Sequence, residues 1–220
     1  VGLLTYKKLK NPETQNNQPL KDYLNRAVYN LIKPQVVVIF ILTLFAFIIL
    51  YGVLLAYLPF LLANSFNATS VIIGAVISVL SFSTAIAASQ LGKLSRKYTT
   101  KQILKIGFLF YFVGIISIPF VNNIWLLIIP IILYGIGQGV NIPTIYSTVA
   151  SLAPMNQRGV FMSVNGTILR LGQTTGPLLM GSLYAFMGID SIFYAGAFIA
   201  FLGFILIIWI VNPEKEIRKR

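Results

Sequence analysis

IILYGVLLAYLP (residues 48–59) and IILYGIGQGVNIP (residues 131–143) open with the same five residues and reach a proline one position out of step. A second pair follows in the same order, GKLSRKYTTKQILKIGFLFYFVG (92–114) against GSLYAFMGIDSIFYAGAFIAFLG (181–203). There Gly92, Leu94, Ile103, Gly107, Phe112 and Gly114 match Gly181, Leu183, Ile192, Gly196, Phe201 and Gly203. Apolar sequence produces chance identities, but two matches in the right order indicate an internal repeat.

The repeat is set among apolar runs. Six segments, 35–62, 70–91, 102–121, 124–150, 158–187 and 191–211, are long enough to cross a membrane; a hydrocarbon core of about 30 Å takes roughly 20 helical residues. Three spans per copy is an odd number, so the second copy must enter from the opposite side. The expected fold is an all-α membrane protein whose six transmembrane helices form a 3+3 inverted repeat.

Composition agrees. The 220 residues are 57% hydrophobic and 10% charged, with a mean hydropathy of +0.82; soluble domains carry about 25% charged residues. The net charge of +12 is concentrated in linkers. Lys7, Lys8, Lys10, Lys21, Arg26 and Lys33 precede the first span. Lys93, Arg96, Lys97, Lys101 and Lys105 cluster between the second and third, Arg158 precedes the fifth, and the tail is basic again. LANSFNATS, VNN and MGID carry no basic residue. This strict alternation places both ends of the chain in the cytoplasm. The expected location is the cell (inner) membrane, and the charge is topological, with no nucleic-acid partner implied.

Three parts are expected. Residues 1–34 hold the end of a preceding helix and a cytoplasmic loop, 35–211 the six-helix domain, and 212–220 a basic tail. In the loop, Leu20, Tyr23, Leu24, Ala27 or Val28, and Leu31 recur at helical spacing, which predicts an amphipathic helix on the headgroups or a solvated connector. The apolar start VGLL reads as the last residues of a span cut in mid-helix, so the chain is expected to be half of a longer protein.

With no Cys and no His, Cys/His metal sites, thiol nucleophiles and His-based triads are excluded. Gly-x-Ser-x-Gly is absent, as is a TVGYG-like filter. An intramembrane serine protease does not fit, a channel is possible but has no filter or acidic ring to mark it, and no enzyme, metal or cofactor is expected.

QRGVFMSVNGTILRLGQTTGPLLMG and YGIGQGVNIPT resemble the eleventh and tenth helices of drug-efflux-type members of the major facilitator superfamily. The resemblance covers essentially the whole chain, as that family's C-terminal half. LGKLSRKYTTK is similar to the family's cytoplasmic loop motif at Gly92, Leu94, Lys97 and Lys101; Arg96 stands at the aspartate position and Thr99 at the second glycine. The substitution at Arg96 argues against the charge lock in which that aspartate takes part. Gly172-x-x-x-Gly176-Pro177-x-x-x-Gly181 is similar to the antiporter motif, with Met180 at the first glycine of the usual pair. The resemblance implies a secondary transporter of small molecules, proton-coupled efflux by alternating access, and a missing N-terminal six-helix half as partner. The alternatives are a truncated six-span assembly partner without its own transport activity and an uptake carrier for an anionic metabolite.

Polar residues within the spans outline a cavity. Ser163, Thr167, Arg170, Thr174 and Pro177 are spaced four and three apart and share a helix face, with Gly166 and Gln173 beside it. Tyr134, Gln138 and Asn141 form a similar stripe on the fourth span, and Tyr51 and Tyr57 lie on the first. These nine polar side chains other than Pro177 and Gly166, with Gln173 as the tenth, are the expected substrate-cavity residues. Gly172, Gly176, Pro177 and Gly181, with Pro59 and Pro143, are expected in close packing or hinges. Asn165-Gly166-Thr167 fits a glycosylation sequon but falls inside a span, and is read as a chance match.

Arg170 lies about 18 Å beyond Arg158 along a helix rising 1.5 Å per residue, which places it near the membrane middle or in its cytoplasmic half. No Asp or Glu falls in any of the six spans. A proton-coupling carboxylate is therefore not expected in this half. The partner of Arg170 must be a backbone carbonyl, water, a carboxylate from other helices or an anionic substrate.

Overall fold

The computed structural model describes residues 20–210. The expected end of a preceding span, Lys7, Lys8, Lys10 and the tail 212–220 lie outside the described residues. Helix α1 (Leu20–Leu31) is followed by α2 (Pro34–Ser65), α3 (Ser70–Lys97), α4 (Thr100–Ser117), α5 (Ile128–Leu152), α6 (Arg158–Met187) and α7 (Asp190–Ile210).

Helices α2, α3, α4, α5 and α7 are long and apolar enough to cross a membrane. Helix α6, at 30 residues, is long enough but too polar to be counted with them. Its bounds are those expected of the fifth span; its composition, with Arg170 and a run of Ser, Thr, Asn and Gln, sets it apart.

Two elements depart from the expected outline. Helix α3 does not stop near residue 91 but runs on to Lys97. Gly92, Leu94, Arg96 and Lys97, expected in a linker, are therefore its last turns, and only Tyr98 and Thr99 join it to α4. Arg96 and Lys97 suit that position because cations favour a helix C-terminus. Helix α2 is α-helical over Pro34–Ile48, π-helical over Ile49–Leu55 and α-helical again over Ala56–Ser65. In the π segment the Ala56 N–H donates to the Tyr51 carbonyl, five residues back. Pro59 follows directly; its missing N–H and its ring disturb the bond to the residue four back. By contrast, α5 and α6 continue unbroken through Pro143 and Pro177.

Thr99, at the second-glycine position of the loop motif, has a local task. Its hydroxyl accepts from the Gln102 N–H at 3.2 Å, and the Gln102 side chain accepts from the Thr99 N–H at 2.9 Å. This capping box starts α4. Thr99→Ala is expected to cost about 1 kcal/mol, measurable as a lowered unfolding midpoint in detergent. At the same end, the Lys101 ammonium donates to the Ile208 carbonyl at 2.7 Å and ties α4 to the last turn of α7.

Helices α2 and α5 are the most enclosed of the apolar spans. Helix α5 packs on α3 and α4, α2 packs on α6 and α7, and α4 packs on α7. Buried between them are Ile39, Leu42, Ile49 and Leu54 of α2, Phe108 and Ile115 of α4, and Phe193, Ala197 and Ala200 of α7. Leu109, Val113, Phe198 and Leu202 are exposed on the outer sides of α4 and α7.

Helix α1 is fastened to the turn before α6. The Tyr23 hydroxyl donates to the Asn156 carbonyl at 3.1 Å, and the Asn30 amide donates to Gln157 Oε1 at 2.9 Å. Ala27, between them on the same face, is buried. Leu24, Val28 and Ile32 are exposed on another face.

Candidate functional site

The two sides of α6 do different things. Gly172 and Gly176 are buried against α2. A Cβ on Gly176 would stand 2.9 Å from the Ile48 carbonyl oxygen and 3.1 Å from the Gly52 nitrogen; one on Gly172 would stand 2.9 Å from Phe47 Cβ. The helices therefore meet backbone to backbone, as small residues four apart allow. Two residues further round, about 200° of helix turn, Ser163, Thr167, Arg170 and Thr174 are all exposed.

On that exposed face the Arg170 guanidinium donates from Nη1 to Gln173 Oε1 at 2.8 Å. The hydroxyls beside it turn inward. Thr167 donates to the Ser163 carbonyl at 3.1 Å and Thr174 to the Arg170 carbonyl at 3.0 Å. Such back-bonding leaves the hydroxyl oxygens free to accept, while the guanidinium keeps donors that Gln173 does not take up. The result is a polar stripe whose single cation faces outward.

Tyr57 and Gly181 lie together further along the same contact. A Cβ on Gly181 would be 2.7 Å from the Tyr57 hydroxyl. Tyr57, Phe60 and Tyr184 form an aromatic group, with Phe60 edge-on to Tyr184 at 5.2 Å between centroids. Tyr51 is half-buried and stacks on Phe47 at 6.2 Å. Met180, where the motif has glycine, is buried.

The fourth-span stripe does not join the Arg170 face. Tyr134 and Asn141 are fully buried in the contact between α4 and α5, not on an open wall. The Tyr134 ring stacks on Tyr111 of α4 at 4.6 Å, and the Asn141 amide lies over Gly107. Gln138 stands at the border. Its Oε1 accepts from the Tyr111 hydroxyl and, at 3.3 Å, from the Tyr134 hydroxyl. The same residue lines a cleft of about 510 Å³ between α3 and α5, with Thr84, Ala88, Gly139, Ile142, Pro143 and Tyr146.

Several of these residues escaped the sequence reading. Tyr111 was invisible because the third span reads as almost wholly apolar; the signal was its place on one helical face with Gly107 and Gly114. Thr84 belongs to the run SVLSFST (78–84), whose small polar residues hinted at an exposed α3. Asn165, read as a chance sequon, is fully buried, and its Oδ1 accepts from the Thr43 hydroxyl at 2.8 Å. It is a polar tie between α2 and α6.

Comparison with known proteins agrees with this architecture. The sequence profile of the Major Facilitator Superfamily matches residues 9–220. A multi-drug resistance efflux pump PmrA homolog of Lactococcus lactis is 28% identical over 162 residues, which cover 72% of this chain and 39% of the relative. Multidrug resistance protein MdtG of Proteus mirabilis is 29% identical over 141 residues, covering 64% of this chain and 35% of that one. The crystal structure of a D-xylose-proton symporter superposes with a TM-score of 0.65 at 16% identity, over 87% of this chain and 50% of the symporter. That likeness is one of fold. The chain spans about two fifths of the Lactococcus relative and about a third of the Proteus one. The family is one of multi-pass membrane transporters, not of enzymes. With the match running from residue 9 to residue 220, this chain belongs to the Major Facilitator Superfamily.

Proposed function

We propose that these residues form the C-terminal six-helix half of a secondary transporter that exports small, drug-like molecules by alternating access. An N-terminal six-helix half would supply the facing wall, and both ends of this chain would lie in the cytoplasm. The observation that carries the reading is the exposed stripe of Ser163, Thr167, Arg170 and Thr174 on a helix whose opposite side is locked to α2. A charged, polar face at this depth is tolerable only against water or a polar partner. The names of the Lactococcus and Proteus relatives favour export of drug-like compounds.

The packing supports a 3+3 inverted arrangement. The repeated stretch puts Gly52 and Gly135 at equivalent positions. Gly52 meets Gly176 on the middle helix of the second copy, and Gly135 meets Leu80 and Ser83 on the middle helix of the first. Gly107 and Gly196, matched in the second pair, lie against Asn141 of α5 and Val53 of α2. Contacts exchanged in this way are what an axis in the membrane plane would produce.

If export is driven by proton antiport, the titrating carboxylate lies outside the interior of these spans, whose one carboxylate, Asp190, is the first residue of α7. An uptake carrier for an anionic metabolite is the second reading, favoured by the outward cation of Arg170.

The absence of cysteine makes the test direct. Single cysteines at Thr167 and Thr174, placed in the natural full-length protein with any other cysteines removed, are expected to react with a hydrophilic maleimide. A cysteine at Leu202, on the apolar outside of α7, is expected to react at least tenfold more slowly. An added transported drug should slow the first two and leave the third unchanged. Thr167→Cys and Thr174→Cys as inert as Leu202→Cys would mean a lipid-facing stripe and would sink the proposal.

A further inference from the structure

We infer a binding site for one anionic phospholipid at the corner where α3 gives way to α4. Its phosphate would be held by Lys101 and Lys105, and an acyl chain would lie along the seam between α4 and α7. The inference requires only that these two helices cross the membrane, so it stands whatever the protein transports and in whichever direction.

The corner gathers cations and no acid. Lys93, Arg96 and Lys97 are three and four residues apart and share one side of the last turns of α3. The Lys97 ammonium lies over the Tyr98 ring, 5.6 Å from its centroid. Helix α4 starts two residues later and carries Lys101 and Lys105 a turn apart. Among the described residues the carboxylates are Asp22 and Asp190. Asp190 opens α7, about 28 Å of helix away from Trp209, and Asp22 is on α1, fastened to the turn before α6. Lys101 gives one donor to the Ile208 carbonyl, and an ammonium has three. Lys105 is half-buried and makes no hydrogen bond or ion pair among the described residues. An ammonium held at the mouth of an apolar seam is best matched by an anion with an apolar body of its own.

The seam supplies that complement in register. Lys101 meets Ile208 and Phe112 meets Phe201, at 5.6 Å between centroids, so α4 and α7 pack antiparallel. Val113 and Leu202, each one residue beyond that ring pair, therefore project to the same side of the seam. Lys105, Leu109 and Val113 follow at intervals of four, one row along α4, and Leu109 and Val113 are exposed. On α7 the matching row runs from Phe198 and Leu202 to Trp209, which is 80% exposed at the level of Lys101. Tryptophan favours the headgroup level of a bilayer, and basic side chains there attract anionic lipids. Cations, then an indole, then hydrocarbon is the profile of a single phospholipid. A free phosphate would leave the apolar rows uncovered. So would Glu214 or Glu216, which follow Trp209 in the sequence and are the rival occupants.

Native mass spectrometry of the natural full-length protein tests this. The protein in detergent would be mixed with equal amounts of phosphatidylglycerol and phosphatidylcholine of the same acyl chains. One phosphatidylglycerol is expected to be retained with a preference of about tenfold. Lys105→Gln, which breaks no contact within the protein, should lower that preference about fivefold, the worth of one cation at a lipid surface. Lys105→Arg should keep it. Lys21→Gln with Lys33→Gln removes two charges on the other side of the domain and should leave it unchanged. Glycerophosphoglycerol, the headgroup without chains, should not displace the lipid even in tenfold excess. Equal retention of the two lipids overturns the inference, as does an equal fall in the Lys21 and Lys33 variant, which would mean diffuse attraction. Displacement by glycerophosphoglycerol would mean a site for small anions and overturns it too. A preference seen only after Glu214→Gln and Glu216→Gln would show that the tail fills the corner, and the lipid site would fall. Drug efflux measured on the same variants reports on the proposed function separately.

Discussion

Gly176→Val is expected to disrupt the bundle, lowering both the amount of folded protein and its unfolding midpoint, with a cost of about 3 kcal/mol or more. A Cβ at this position already meets the Ile48 carbonyl oxygen at 2.9 Å, and the reciprocal Cβ on Gly52 meets the Gly176 carbonyl carbon and oxygen at 2.7 Å. The obstacles are backbone atoms, not side-chain ends that could rotate aside, so relief requires α2 and α6 to separate. Separation would also open the buried Thr43–Asn165 bond and strand polar atoms in an apolar setting. Gly52→Val should be equally damaging. Gly166→Ala on the same helix is the control, because nothing stands within 4 Å of its added Cβ. Thermal unfolding in detergent, followed by size-exclusion fluorescence, ranks the three. A Gly176→Val protein as stable as Gly166→Ala would contradict the packing described.

Arg170→Ala is expected to reduce transport at least tenfold while leaving insertion and stability unchanged or improved. The guanidinium bonds only to Gln173 three residues along its own helix, so its removal opens no contact between helices. Insertion scales put an arginine at the centre of a span at about 2.5–3.5 kcal/mol unfavourable, so with Arg170 at the depth proposed above the alanine variant would insert at least as readily. Arg170→Lys separates charge from geometry, since a lysine keeps the charge but not the planar fork. Recovery by lysine would mean that charge suffices; failure would mean a bidentate partner such as a carboxylate. Initial rates of dye efflux at matched membrane levels decide the matter, and unchanged kinetics in Arg170→Ala would remove Arg170 from the site.

The outline of the spans was legible because it rests on long apolar runs, which sequence displays openly. The stretch 158–187 became α6 with the same bounds even though it is more polar than α2, α3, α4, α5 and α7. What sequence could not show was which side of a helix faces a neighbour. Tyr134, Gln138 and Asn141 look like a cavity wall on a helical wheel, yet Tyr134 and Asn141 are sealed against α4, because Gly107 and Gly114 let that helix approach. The partner of a polar residue decides its burial, and Tyr111 sits in a segment that gave no polar signal. The π segment was hidden for a related reason: Pro59 announces a disturbance, but Pro143 and Pro177 announce the same thing and leave their helices regular. The end of α3 was missed through reading charge as linker, although a basic last turn is a stable way to finish a helix.

The polarity of α6 also bears on how the protein reaches the membrane. A segment of this composition is a weak signal for partitioning from the translocon into lipid, since an arginine together with several amides and hydroxyls offsets much of what its leucines contribute. Its downstream neighbour is of the opposite kind. Helix α7 is strongly apolar, and it follows after Gly188, whose φ of +79° reverses the chain in a turn of two residues. With α6 as a span of the proposed six-helix half, its entry would depend on the hairpin it makes with α7, and on α2 with Gly52 to receive it. Substitutions that weaken α7 or lengthen that turn should leave α6 outside the bilayer, so biogenesis places its own constraint on the length of a turn remote from any substrate.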